Sequence, residues 1–105
     1  MEKKFILVFD KVIIKQLKKA AKNNQVKEIL TKMLNSIEEQ GPDTGELLDS
    51  QVFIYEVKNM HPPIRLYYQH NKISNEIKIF EYEMKTSQEK QQSTIEKLKR
   101  KLLKS

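Results

Sequence analysis

The sequence predicts a single α+β domain in the order β-α-α-β-β-β-α, and its patterning gives three reasons. Apolar residues recur every three to four positions across 11–40, every second position across 52–84, and every three to four again from 87 onward. A helix pair, an antiparallel meander and a closing helix follow from that order. With 105 residues the chain has room for one core, so residues 1–105 are read as one domain.

The elements run in chain order. Residues 4–9 (KFILVF) form a short β-branched and aromatic run, read as a buried strand with Phe5, Leu7 and Phe9 on one face and Ile6 and Val8 on the other. Asp10 is placed to cap a helix in which Ile13, Leu17, Ala20 and Ala21 share a face. Asn23-Asn24 breaks it, and a second helix over about 25–40 carries Val26, Ile29, Leu30, Met33, Leu34 and Ile37. Gly41 and Pro42 end it. Residues 41–51 read as a loop or a weak edge strand. Strands are then predicted at 52–58, 64–70 and 76–84, the first two joined by a turn at 59–63, where Pro62-Pro63 should forbid ladder pairing. Thr86-Ser87-Gln88-Glu89 has the form of a capping box and opens a last helix with Ile95, Leu98 and Leu102 as its apolar stripe. The sheet packs one face on the helical hairpin, and its other face is left open or partly covered by the last helix.

Composition removes several classes of function. There is no cysteine, which excludes disulfides, cysteine–zinc sites and thiol catalysis. The two glycines, Gly41 and Gly45, share one loop, so there is no phosphate-binding glycine loop. No serine has a nucleophile-elbow context. His61 and His70 read as surface residues, and neither a metal nor a cofactor is expected. The N-terminal apolar run of about five residues is too short for a signal peptide. No run reaches the roughly 20 residues that span a bilayer, which suggests a cytoplasmic protein with no membrane partner.

The net charge is +6, unevenly spread: +4 over residues 1–42, −3 over 43–84 and +5 over 85–105. A basic balance of this size suits a polyanion or an acidic protein partner. It also arises wherever lysine is abundant, and here 18 lysines stand against two arginines. Strand alternation brings specific groups together. If Phe53, Tyr55 and Val57 face the helices, Glu56 and Lys58 face away, and on the next strand Arg65 and Tyr67 do the same. Lys85, at the end of the last strand, can reach the rim. One carboxylate, several cations and a phenol suit a phosphodiester: the cations hold the phosphate and stabilise its pentacoordinate charge, Glu56 or a lysine whose pKa is lowered by neighbouring cations takes the 2′-OH proton, and Tyr67 stacks on a base. The plainer reading is a set of cross-strand salt bridges on a solvated face.

The segments Tyr55-Glu56-Val57-Lys58, Arg65-Leu66-Tyr67-Tyr68, Ile77-x-Ile79 and Tyr82-x-Met84-Lys85-Thr86-Ser87 resemble the RelE/ParE toxin superfamily, closest to its HigB-like / phage Gp49-like branch. The element order agrees along the whole chain. The resemblance implies the toxin of a type II toxin–antitoxin system that enters the ribosome and cuts mRNA by 2′-OH attack without a metal. It also implies a cognate antitoxin that blocks the active surface. Carried over, Glu56 is the candidate base, and Lys58, Arg65 and Lys85 are the candidate catalytic cations. The basic last helix, through Lys97, Arg100 and Lys101, offers RNA contacts beside Tyr67. Met84 replaces a lysine of the family pattern, and Gln91 and Gln92 stand where relatives keep an acid or an aromatic. The general acid is therefore unassigned. A ParE-like protein that inhibits gyrase by binding, without RNA cleavage, is the alternative, and a basic nucleic-acid-binding domain is a third.

Overall fold

The computed structural model describes residues 5–84 and 87–104. Its elements are β1 (Ile6–Phe9), α1 (Lys11–Ala20), α2 (Asn24–Gln40), a 3-10 turn (Gly41–Thr44), β2 (Glu46–Asp49), β3 (Ile54–Met60), β4 (Pro63–Asn71), β5 (Glu76–Met84) and α3 (Gln88–Lys104). The strands form one five-stranded sheet in the order β1-β5-β4-β3-β2, with β1 parallel to β5 and every other neighbour antiparallel. The α1–α2 hairpin covers one face and α3 the other. This is the α+β architecture that the patterning predicts.

Local chemistry sets the helix ends. The Asp10 carboxylate accepts the Val12 N–H at 3.1 Å, and the Asn23 amide oxygen accepts those of Gln25 and Val26. Gly41 ends α2 with φ 58°, and a side chain there would collide with the Phe5 ring. Ser87 Oγ accepts the Lys90 N–H at 3.1 Å at the start of α3; the expected Thr86 cap lies outside the described residues.

Two apolar cores sandwich the sheet. Ile13, Leu30 and Ile37 of the hairpin meet Ile64, Leu66, Tyr68, Ile77 and Ile79. On the opposite face, Ile95 and Leu98 of α3 meet Ile54, Tyr67 and Phe80. Many residues here are at or near zero exposure, and their burial drives the assembly.

The structure corrects several local expectations. β1 is not buried: it is an edge strand, with Ile6 60% exposed. Residues 41–51 resolve into the 3-10 turn and edge strand β2. Phe53 leaves the predicted strand because it turns the chain at φ 56°. Pro63 pairs with Met60 at the start of β4, where a missing N–H is tolerated, so only His61 and Pro62 form the turn. His70 is half-buried, edge-on to Phe5 at 5.6 Å.

Two features of β5 shape the face beneath α3 and the edge beside α1. A bulge between Tyr67 and Tyr68 of the β4 pairing pairs Tyr67 with Glu81 and Tyr68 with Ile79, leaving Phe80 as the extra residue. The alternation therefore slips, and Phe80, Glu81 and Glu83 all serve the α3 face. Beyond the end of β1, the Gln16 side chain occupies the exposed edge of β5, donating to the Tyr82 carbonyl at 2.9 Å and accepting its N–H at 2.8 Å.

Candidate functional site

Antiparallel register fixes two cross-strand rows on the α3 face. Lys58, Arg65 and Glu83 lie side by side in one, and Glu56, Tyr67 and Glu81 in the next. Glu56 and Arg65 sit diagonally across β3 and β4, within reach of each other. Arg65 Nη1 donates to Glu56 Oε1 at 2.9 Å, and the side chains are 24% and 3% exposed. Gln91 Nε2, from the second turn of α3, donates to the same oxygen at 3.0 Å. A carboxylate this buried needs such partners, and a guanidinium supplies a charge-assisted one. A shallow cleft beside it is lined by Thr44, Gly45, Glu46, Glu56, Val57 and Lys58.

The face is less open than the base-stacking expectation requires. Tyr67 has no exposed surface, and its hydroxyl donates to Glu83 Oε2 at 2.9 Å. Burial, first, and the Glu83 carboxylate beside it push the phenol well above its ordinary range, so it stays protonated. Tyr67 is therefore a structural residue in this arrangement and not a stacking platform. The Thr94 hydroxyl donates to the other Glu83 oxygen.

The basic residues of α3 are also placed differently from the expectation of an RNA-contacting row. Lys97 is bonded to Glu81 at 2.9 Å, Lys99 to Asp49 at 3.2 Å and Lys101 to Asp10 at 2.9 Å. Burial raises the carboxyls of Asp10 and Asp49. The bonds from their lysines and from backbone N–H groups outweigh it, so both titrate below the ordinary carboxylate value. Arg100 is exposed and has no side-chain partner among the described residues. Lys58 is likewise exposed and unpaired among them. Lys85 lies outside the described residues.

The structure thus brings Glu56, Arg65 and Lys58 together, buries Tyr67, and uses Lys97 and Lys101 to dock α3. Sequence reasoning missed Glu81 and Glu83 as members of this face. Their spacing of two put them on a common side of β5, but which side depends on the bulge at Phe80, and nothing in a doubly apolar run marks a bulge.

No family model matches the chain, and no curated protein does. Solved structures do. A chain of the intact E. coli RelBE toxin–antitoxin complex superposes with a TM-score of 0.68 at 21% identity, over 80% of this chain and 100% of that one. An arginine double mutant of E. coli toxin RelE in the free state gives 0.68 at 20%, over 89% and 96%. The isolated E. coli RelE toxin gives 0.64 at 19%, over 90% and 99%. At these identities the likeness is one of architecture, and the architecture of this chain is that of RelE.

Proposed function

We propose that this protein is the toxin of a type II toxin–antitoxin pair, acting in the cytoplasm to stop translation by metal-independent cleavage of mRNA. One observation carries the reading: within a RelE fold, Glu56, Arg65 and Lys58 converge on one face, on adjacent strands. In the proposed reaction the ribose 2′-oxygen attacks the neighbouring phosphorus and loses its proton to Glu56. The bond from phosphorus to the 5′-oxygen breaks, and that oxygen takes a proton from water. Arg65 and Lys58, with Lys85 as the expected third cation, offset the charge of the pentacoordinate phosphorus. Gln91 Nε2 donates to the Glu56 oxygen that Arg65 also holds, so the start of α3 borders the reacting groups. The partners are mRNA, the ribosome and a cognate antitoxin; a toxin–antitoxin assembly is what the RelBE neighbour is.

The test is induced expression in growing cells, with mapping of mRNA 5′ ends. Lys58→Gln removes an unpaired exposed charge and should abolish cleavage at unchanged melting temperature. Arg65→Gln should also abolish cleavage, at some loss of melting temperature, because it replaces the cation on the buried Glu56 by a neutral amide donor; Arg65→Ala would remove the donor as well. Lys85→Gln completes the set. Cleavage that persists in all three sinks the reading. Growth arrest without new mRNA ends would point to the gyrase-inhibiting alternative.

A further inference from the structure

We propose that the outer face of α1 is a contact surface for the phosphate backbone of RNA, separate from the face that carries Glu56 and Arg65. Lys11, Lys15, Lys18 and Lys22 follow one another at steps of four, three and four, which keeps them on one side of the helix and its continuation. At 1.5 Å per residue the row is about 16 Å long. All four are exposed, as is Lys19 beside them, and none has an ion-pair partner among the described residues. α1 contains no acidic residue at all. Asp10, at its start, is already held by Lys101 and Lys78.

Helix stability does not account for the row. Lysines at the C-terminal end suit the helix dipole, but Lys11 stands in the first turn, where the dipole disfavours a cation, and like charges four apart repel. A protein partner fits less well than a nucleic acid. Lysine is depleted in protein interfaces, whereas a phosphate takes it readily as a point charge. Val12 and Ile14, 39% and 41% exposed, flank the row on opposite sides and form no common apolar anchor. α3, the other basic helix, uses Lys97, Lys99 and Lys101 on carboxylates of its own fold, which leaves α1 as the larger free cationic row. The choice of RNA over DNA rests on the function proposed above; the backbone contact itself does not.

The test measures binding of the full chain to a 2′-O-methyl RNA duplex of about 20 base pairs, which lacks the hydroxyl needed for cleavage, as a function of salt. Replacing Lys11, Lys15, Lys18 and Lys22 with Gln should lower the log–log salt slope by about three, at roughly 0.7–0.9 per phosphate contact. Between about 50 and 200 mM salt the wild type should therefore lose roughly 60-fold more affinity than the variant. Arg at the same four positions should restore the slope, which separates lost charge from lost fold. An unchanged slope in a folded Gln variant overturns the proposal, as does a slope that moves only when Lys97, Lys99 and Lys101 are replaced. An equal response with a DNA duplex keeps the contact and removes its RNA preference. Because no cleavage is read, failure here leaves the mRNA mapping experiment untouched, and the reverse holds too.

Discussion

Helices α1 and α3 carry similar loads of lysine and treat them in opposite ways. On α3, Lys97, Lys99 and Lys101 each end on a carboxylate from a different part of the chain: Glu81 of β5, Asp49 of β2 and Asp10 before α1. Gln91 and Thr94 add neutral donors to Glu56 and Glu83. On α1 the lysines meet no acid among the described residues, and the apolar side carrying Ile13 and Ala20 packs into the core. A count of basic residues therefore does not locate a polyanion site. The location depends on which charges the fold has already neutralised, and here three of the cations of α3 are paired with carboxylates.

The comparison breaks most visibly at the apolar seam of α3. Leu98 is 1% exposed between Phe80 and Tyr67, and Leu98→Ala should cost about 2–5 kcal/mol in chemical denaturation. A wild-type denaturation curve would mean that α3 is not docked as described. Glu83→Ala comes next, at about 1–3 kcal/mol, because it leaves the buried Tyr67 hydroxyl without its acceptor; Glu83→Gln, which keeps an acceptor oxygen, should cost less.

Acid should separate the two helices by pH. The Asp10 and Asp49 carboxyls titrate below their unfolded value, so their stabilising effect is complete above about pH 4 and is lost as the pH falls through the folded-state value. Asp10→Asn and Asp49→Asn together should flatten that acid limb in thermal melts followed by circular dichroism. If the limb is as steep as in the wild type, these pairs do not contribute to it. The smallest effect concerns the lysines. Replacing Lys97, Lys99 and Lys101 with Gln should lower stability by about 1 kcal/mol or less per pair at low salt, and less at high salt. Replacing the four lysines of the α1 row should leave the melting temperature about level, since the repulsion removed offsets the favourable dipole contact of the lysines at the helix end.

Much of the fold is legible in the sequence because it depends on local period. Val26, Leu30, Met33 and Ile37 can line up only on a helix, and the Asp10 and Gly41 boundaries are local signals. The pairing of Glu56 with Arg65 follows from hairpin alternation on two adjacent strands. What depends on distant chain is not legible in the same way. The edge position of β1 follows from its parallel pairing with β5, some 70 residues on. The burial of Tyr67 follows from α3 lying over it, and the partner of Lys101 is 91 residues away. A residue's type shows what it can bond to, and only the assembled layers determine which bond it makes.

Gln16 has a consequence beyond holding α1 in place. The far end of β5 would otherwise present a bare backbone donor and acceptor at Tyr82, the kind of margin along which foreign strands recruit one another into aggregates. A single amide, matching a peptide group in shape and polarity, seals it. Gln16→Leu would leave the interior intact while unsealing that margin, so its damage should grow with protein concentration and not with temperature alone.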